Sequence, residues 1–453
     1  MKVAIVGWGL EGQSAFNYFG PEHEYLIASE EPRADLPAPS DKIEIQSLVG
    51  QRPVGITSQA EDLSYLAGIE NCDKIIYSVT SVKNLEKLFG PEHKFWKKAV
   101  TTQHIFFETV KTKNIIGVTG SKGKGTTSTL IAKMLEAAGK KVFLGGNIGV
   151  PVLDFVNGVQ PEDWVVLELS SFQLYKLNYS PHIAVCLMIT EEHLDWHANI
   201  EDYVKAKSNL FRYQAKDDIA IYMADNLYAQ RIAGCSPGIK IPYFDSPGAY
   251  VRADGMIVMG QPETEIIKTG QLKLIGRHNW QNVCAALTAA SQVSDNLEAM
   301  RQVLASFSGL EHRLEFVRSV GGVDYYDDSF GTTPDTAIVA IQSFVQPVVL
   351  IAGGHDKGLS FEKLVEEIVG KDRVRHVIAI GQTGPVIAGL LKNRGFSSVT
   401  EGLSKMPEIV AEARRTARRG DAVILSCGTS SFGLFTDYKD RGNQFKKAVQ
   451  ELS

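Results

Sequence analysis

The sequence predicts an α/β protein built on open parallel sheets, and three observations carry that prediction. Short apolar runs that fit strands alternate with longer segments that fit helices along the whole of its 453 residues. Two of these strands run directly into glycine-rich turns that open a helix, one at Gly7 to Gly12 and one at Gly117 to Thr126. The chain is also too long for one ordinary core, so two or three domains are expected.

The first segment opens with a strand, Lys2 to Val6, followed by Gly7-x-Gly9-x-x-Gly12 and a helix from Gln13. Apolar strands recur at Tyr25–Ala28 and Lys74–Tyr77, which is βαβ patterning with helices on both faces of a parallel sheet. The glycine triplet suits a nucleotide diphosphate. It does not by itself indicate NAD, because the usual acidic ribose partner is not clear, although Ser29, Glu30 and Glu31 follow the second strand. The second segment runs from about Thr112 to Gly309. It holds a buried strand at Ile115, Ile116 and Val118 and further strands at Lys141–Leu144, Trp164–Leu169, Ile183–Ile189 and Ile219–Met223. Thr126 to Ala138 reads as a helix that Gly139 ends, and Asn279 to Val293 reads as another. Phe307 to Leu310 looks like a hinge, with the third segment beginning near His312. Its strands are Val323–Tyr326, Val348–Ala352, Val377–Ile380 and Ala422–Leu425, a second open α/β unit.

Composition narrows the class. Hydrophobic residues make up 44% and charged residues 22%, ordinary for a soluble globular protein. The net charge of −5 argues against a general nucleic-acid binder. Cys72, Cys186, Cys235, Cys284 and Cys427 are odd in number and widely spaced, which reads as buried thiols in a reducing cytosol. Met1 leads straight into a strand, and no run of about eighteen apolar residues occurs. A cytoplasmic location without membrane contact is expected.

The stretch from Gly117 to Leu130 carries the most chemistry. Gly120, Gly123 and Gly125 permit a tight loop whose N–H groups face one anion, and the helix start behind it adds partial positive charge. Lys124 would reach outer phosphates, and Thr126 or Thr127 would offer a hydroxyl to Mg²⁺. A strict phosphate loop wants Ser or Thr directly after the lysine, where Gly125 stands, and the plainer alternative is a glycine-rich turn with no ligand. Glu168 ends an apolar strand, where a nucleotide-bound Mg²⁺ finds a carboxylate or where an acid simply meets solvent. His193 and His197 are four apart, as zinc ligands on a helix would be, but a third ligand and H-E-x-x-H are missing. His193 suits a phosphate or Mg²⁺ neighbourhood better, and His197 reads as a surface histidine. Lys205 and Lys207 point to different helix faces, both solvated on local composition. Asn279 and Asn282 share a helix face, for adenine, ribose or capping, with capping the better local reading of Asn279. Arg313 and Asp328 suit contact with a nucleotide, or an ion pair between domains. Lys357 follows a strand in a glycine-flanked loop, and Ser426 to Ser431 is a small-residue loop with donors for a carboxylate, or an ordinary turn.

Taken together these motifs resemble the Mur ligase family, the ATP-dependent amino-acid ligases of peptidoglycan precursor synthesis. The likeness covers nearly the whole chain and is strongest at Gly117–Leu130, Gly145–Gly149, Leu167–Leu174, Thr190–Asp195, Gly309–Glu315 and Asp421–Phe445. It is greatest to members that add glutamate to UDP-N-acetylmuramoyl-L-alanine. The resemblance implies three domains: residues 1–111 Rossmann-like and UDP-substrate-binding, 112–309 a P-loop ATPase with a parallel sheet, and 310–453 Rossmann-like and glutamate-binding. It implies ATP and Mg²⁺ as cofactors, small-molecule substrates only, and a monomer. By position it places Gly120, Ser121, Lys122, Gly123, Lys124, Gly125, Thr126 and Thr127 around ATP, with Asn279, Asn282, Arg313 and Asp328. Thr126, Glu168, His193 and Lys207, the last as a CO₂-derived carbamate, fall at the Mg²⁺ site, and Lys124, Glu168, His193 and Lys207 at the catalytic positions. Gly9, Leu10, Asn147, Ser170, Ser171 and Gln173 match positions near the UDP-sugar. Thr332, Lys357, Ser431 and Tyr438 match those that hold glutamate.

Three departures stand out. Phe330 occupies a place where related sequences carry Lys, the loop after Ser426 lacks the usual Pro and Asp, and Ser78-Val79-Thr80 replaces Ser-Pro-Gly. The acceptor is read as glutamate, D-glutamate foremost, with an L-glutamate ligase or a folylpolyglutamate synthetase-like ligase as alternatives. A nucleotide-binding regulator would not need the third segment's glutamate pattern, and a dehydrogenase rests on Gly7 to Gly12 alone.

Overall fold

The computed structural model describes residues 1–30, 33, 35–47, 62–194, 196–274, 276–356, 358–371 and 373–453. Lys357 and Glu31 lie outside the described residues. Contacts divide the chain into two compact units, Met1–Gly270 with Trp280–Leu304, and Gln271–Asn279 with Ala305–Ser453. The long stretch of the second unit begins at Ala305, and a short excursion at 271–279 joins it. There Leu274 packs close to Gly309, so a Cβ added at Gly309 would sit 3.6 Å from its Cδ2.

The first unit holds two parallel sheets. One is made from β1 (Lys2–Val6), β2 (Glu24–Ser29), β3 (Ile43–Ser47), β4 (Lys74–Tyr77) and β5 (Ala99–Val100), in the order β3-β2-β1-β4-β5. The other is made from β6 (Ile115–Thr119), β7 (Val142–Gly146), β8 (Trp164–Glu168), β9 (Ile183–Cys186), β10 (Ile219–Met223) and β11 (Ile239–Tyr243), in the order β11-β10-β9-β6-β8-β7. Val3 to Val6, Ile116, Val118 and Val165 to Leu167 are essentially inaccessible to solvent. Strands covered by helices on both faces read as continuous apolar runs for this reason. A small antiparallel sheet, β12 (Tyr250–Val251), β13 (Met256–Met259) and β14 (Thr264–Lys268), follows in an order that the sequence patterning did not anticipate.

The second unit is built on β15 (Glu315–Val320), β16 (Val323–Asp327), β17 (Val348–Gly353), β18 (Val374–Ile380), β19 (Val399–Glu401) and β20 (Ala422–Leu425), in the order β15-β16-β20-β17-β18-β19. Its edge strand β15 runs antiparallel to β16, so this sheet is mixed. The two unexpected strands, β15 and β19, are edge strands with few fully buried residues, and they lack the apolar runs that reveal central strands.

Element limits shift in instructive ways. The first helix spans Leu10–Phe19 rather than starting at Gln13, because Gly12 packs against β1 as part of the helix: a Cβ there would meet the Gly7 carbonyl oxygen at 2.1 Å. The second glycine-rich turn is followed by a helix at Lys124–Ala137, starting two residues before Thr126. β9 stops at Cys186, three residues short of the predicted Ile189. Four of the five cysteines are buried, but Cys235 is exposed, contrary to the reading of buried thiols throughout. Among the described residues, no helix is long and apolar enough to cross a membrane.

Candidate active site

In the first unit, β6 lies between β8 and β9, so the order of strands reverses around it. Crevices at the carboxyl ends of such strands are where open α/β sheets bind ligands. The turn after β6 ends in Gly123, which caps the helix Lys124–Ala137 with φ +85°, a conformation that favours glycine. A Cβ at Gly123 would also lie 2.1 Å from Asn282 Oδ1, so Asn282 packs directly against the loop. The first N–H groups of that helix lack intrahelical acceptors and carry the positive end of its dipole. Thr126 is half-buried, whereas Thr127 is fully buried with its hydroxyl directed to Asn282 Oδ1 at 3.5 Å. This separates the two threonines that the sequence left as alternatives. Lys122 is exposed and Gly125 buried.

Two ammonium groups meet one carbonyl at the end of β6. Lys124 Nζ donates to the Gly120 oxygen at 3.0 Å and to the Ser121 oxygen at 2.9 Å. Lys207 Nζ donates to the same Gly120 oxygen at 2.9 Å and to Thr119 Oγ1 at 3.2 Å. Lys207 is 1% exposed, so the solvated lysine suggested by local composition is overturned; Lys205 alone faces solvent. Burial, reinforced by the Lys124 charge, pushes the Lys207 amine well below the usual lysine range. Such an amine is held toward its neutral, nucleophilic form.

Glu168, at the end of β8, is 4% exposed rather than solvated. Its Oε1 accepts from Asn147 Nδ2 at 2.8 Å, and the Asn147 N–H donates to the Glu168 carbonyl oxygen at 2.8 Å. Its Oε2 is buried and, among the described residues, has no hydrogen-bond partner. A buried carboxylate oxygen left without a donor is costly unless something positive completes it. A hard divalent cation such as Mg²⁺ fits that oxygen donor.

Ser121 ties the surrounding elements together. Its N–H donates to the Met188 oxygen at 2.9 Å, its hydroxyl donates to the Thr190 oxygen at 3.0 Å, and Tyr203 OH lies 3.0 Å away. The Ser121 hydroxyl, its N–H and its carbonyl oxygen, which accepts from Lys124, are thus all engaged by protein. Among the described residues, Thr190 to Leu194 and Trp196 to His197 are not helical, with His193 exposed at φ +56°. The four-residue spacing of the two histidines therefore does not set both on a helix face. His197 is 1% exposed, which corrects its reading as a surface residue. Its Nε2 lies 3.0 Å from Ser171 Oγ and its Nδ1 3.2 Å from Asp202 Oδ2. It therefore joins the helix after Glu168 to the helix Ile200–Arg212 that carries Lys207.

The candidates near a UDP-sugar also assemble within this unit. Gly9 caps the helix Leu10–Phe19, and both Gly9 and Leu10 are exposed. Glu11, the next residue, accepts from Gln103 Nε2 at 2.8 Å and from Gln173 Nε2 at 2.9 Å through one oxygen. Gln173 in turn forms a capping box with Ser170, whose N–H donates to Gln173 Oε1 at 3.0 Å. Ser171 faces His197 instead. Sequence reasoning missed Glu11 and Tyr203; an acid directly after a glycine-rich turn was the available signal for the first.

In the second unit, Asp328 follows β16 and is 8% exposed. Ser426 Oγ donates to its Oδ2 at 2.6 Å and the Leu314 N–H to its Oδ1 at 3.2 Å. Burial nevertheless raises its carboxyl to about 7. The Arg313 guanidinium lies 3.9 Å over the Phe330 ring, and Tyr438 meets that ring edge-on at 5.1 Å. Arg441, absent from the predicted set, is completely buried and donates to Ser329 Oγ at 2.9 Å, to the Ser329 oxygen at 2.8 Å and to the Thr429 oxygen at 3.2 Å. It thereby fixes the turn after Asp328 against the turn after β20. Ser426 is spent on Asp328 and Thr429 on the His355 oxygen, so that loop offers fewer donors than its composition suggests. Ser431 is buried, and the neighbouring Ser430 hydroxyl is buried without a partner among the described residues. Thr332 is half-buried beside the Thr333 that caps the helix Pro334–Gln342. Asn279 lies in the first turn of the helix Arg277–Ala290 and is not its cap.

Family comparison gives the class. The Mur ligase middle domain matches residues 118–290, and the Mur ligase glutamate ligase domain matches residues 312–428. Solved structures share the fold: MurF from Thermotoga maritima in complex with ADP aligns with a TM-score of 0.59 at 16% identity, covering 99% of this chain and 95% of that one. FolC from E. coli, in complex with DHPP and ADP, aligns at 0.57 and 16% identity over 78% and 92% of the two chains. The chain belongs to the Mur ligase family, and it is an ATP-dependent ligase of peptidoglycan precursor synthesis. Among its curated relatives is the UDP-N-acetylmuramoylalanine--D-glutamate ligase of Acetivibrio thermocellus, 33% identical with 100% of this chain and 96% of that protein covered. The protein of the same name from Symbiobacterium thermophilum is 40% identical, with 75% and 76% covered.

Two outcomes follow from this geometry. Gly123→Ala places a side chain at positive φ and onto Asn282, and it should weaken ATP binding at least tenfold, about 1.4 kcal/mol, in a direct titration; affinity equal to wild type would remove the loop's conformation from nucleotide binding. Asp328 binds a proton in the folded state that the unfolded chain has already released between about pH 4 and about pH 7. Its stabilising share is full below the unfolded value and is lost as pH rises toward 7, at up to about 1.4 kcal/mol per pH unit. Urea melts from pH 4 to 8 should therefore show a downward trend in the wild type that Asp328→Asn flattens, and parallel curves would refute the assignment.

Proposed function

We propose that the protein joins D-glutamate to UDP-N-acetylmuramoyl-L-alanine in the cytoplasm, acting as a monomer on small-molecule substrates. The carrying observation is end-to-end similarity to ligases that bear this name, joined to a buried lysine and a half-buried one near a carboxylate oxygen in need of a positive partner. In this reading, residues 1–111 bind the UDP-substrate, 112–309 bind ATP and 310–453 bind glutamate.

A carboxylate is a poor electrophile, so the reaction has two parts. An alanine carboxylate oxygen attacks the γ-phosphorus of ATP, and ADP leaves. The glutamate amine then attacks the acyl carbon of the resulting acyl phosphate, gives up a proton, and expels inorganic phosphate to leave the amide. There is little covalent work for the protein, which positions reactants and neutralises charge. Gly120 to Thr127 and Lys124 cradle the phosphates, with Asn279, Asn282, Arg313 and Asp328 as further ATP contacts. Glu168, the Thr126 hydroxyl, His193 and a carbamate on Lys207 would hold Mg²⁺, which supplies charge neutralisation at the transferring phosphoryl group. Two features support a carbamate: the depressed basicity of the buried Lys207 amine suits attack on CO₂, and its conversion to an anion would relieve the crowding of two cations. Gly9, Leu10, Asn147, Ser170, Ser171 and Gln173 orient the UDP-sugar, partly through the anchoring of Gln173 by Glu11. Thr332, Lys357, Ser431 and Tyr438 hold glutamate, and the unpartnered Ser430 hydroxyl is an added donor for a carboxylate.

The test is phosphate release from ATP, Mg²⁺ and UDP-N-acetylmuramoyl-L-alanine with D-glutamate, L-glutamate or no amino acid. Release that requires D-glutamate is expected; release with L-glutamate alone, or with none, overturns the named acceptor. Lys207→Ala should abolish turnover while the UDP-substrate still binds. Unchanged kcat in that variant takes Lys207 out of the mechanism.

A further inference from the structure

A cleft of about 670 Å³ lies in the first unit, where β4 and edge strand β5 of the five-stranded sheet meet the helix Ile200–Arg212. None of the candidate active-site residues lines it. It is a cavity of the size and position, at a seam between two sheets, that small ligands occupy.

Its chemistry is uneven in a telling way. Aromatic side chains make up much of the wall: Tyr77, Trp96, Tyr175, Tyr179 and Tyr213. Four cations, Lys97, Lys176, Lys205 and Arg212, stand around it against one carboxylate, Glu108. That carboxylate already accepts from Tyr179 OH at 3.3 Å. Lys176 is spoken for, because its ammonium lies 4.1 Å over the Trp96 ring and 2.9 Å from Glu86 Oε1. Lys97, Lys205 and Arg212 are exposed, and among the described residues none of the three has an ion-pair partner. Lys205 and Arg212 are seven residues apart with Asn209 between them, so they line one stripe of the helix. Asn209 is held in place by donating to the Leu174 oxygen at 2.9 Å. Tyr213 ends the stripe with 49% of its surface exposed.

Exposed cations alone bind anions weakly, and an aromatic wall alone has no preference for charge. Set together, they select a ligand that has both a flat ring and a negative group. We propose that this cleft is a second small-molecule site, distinct from the active site, for a planar aromatic ring bearing a phosphate, with nucleotides as the fitting class. The phosphate lies against Lys205 and Arg212, and the ring against the tyrosines. This site adjoins the outer face of the helix whose inner face buries Lys207.

The probe is pyridoxal 5′-phosphate, a flat ring with both an aldehyde and a phosphate. A lysine amine condenses with the aldehyde, releasing water, and added borohydride delivers hydride to the imine to leave a stable secondary amine. Peptide mapping of the labelled full-length chain then reads each lysine separately, so labelling at Lys124 does not confuse the result. Lys205 should label at concentrations about tenfold below those needed for Lys405, whose side chain is 77% exposed with no such surroundings. Uridine monophosphate should protect Lys205, inorganic pyrophosphate should protect it much less, and Arg212→Glu should weaken the nucleotide's protection about tenfold. Labelling of Lys205 no faster than Lys405, equal protection by pyrophosphate, or full protection in the Arg212→Glu variant each overturns the proposal. The outcome is independent of which amino acid the ligase adds.

Discussion

Two lysine ammonium groups share one backbone oxygen at the end of β6. Lys124 and Lys207 both donate to the Gly120 carbonyl, one from the helix behind the glycine loop and the other from the helix Ile200–Arg212. Like charges held this close, one of them buried, repel strongly unless something offsets them. The structure offsets them in part by pushing Lys207 toward neutrality, and it sets a buried carboxylate, Glu168, at the end of the neighbouring strand. A phosphate group entering the loop would meet concentrated positive charge, and a cation beside Glu168 would meet an oxygen with no other partner.

That arrangement holds because its supports are hydrogen-bonded into the protein rather than left to solvent. Ser121 links the glycine loop to Thr190 and Tyr203. Asn147 pins one oxygen of Glu168 and leaves the other available. His197 joins the elements that follow Glu168 and precede Lys207, and Glu11 does the same for the glycine turn of the first sheet and Gln173. In the second unit Arg441 plays the corresponding part, its buried guanidinium satisfying the carbonyl oxygens of two turns at once. Removing such a group leaves acceptors buried and unpaired, which is why single polar residues far from any substrate hold a site in shape.

The legible part of the site had a shared physical origin. A glycine-rich turn between an apolar strand and a helix can be read from residue types alone, since only glycine tolerates the needed backbone and only helix starts present free N–H groups. Lys124, Thr126 and Glu168 follow from their places on that scaffold. Lys207 and Arg441 escaped local reading, and both share a signal. Tyr203, Ala206, Lys207, Leu210 and Phe211 form one stripe of their helix, and Arg441, Phe445, Ala448 and Val449 form another. A cation inside an apolar stripe is a buried cation that must find partners, whereas composition averaged over a window sees only a polar helix.

The sequence by itself determined the parallel α/β class, the central strands and the phosphate loop, because these depend on periodicity and backbone permissiveness within a few residues. Tertiary structure decided what became of the polar side chains. Burial of His197, the choice between Thr126 and Thr127, the internal use of Ser121 and Ser426, and the raised proton affinity of Asp328 all depend on residues tens of positions away. Hydrogen bonding and desolvation act through space, and no local pattern records which distant group will arrive.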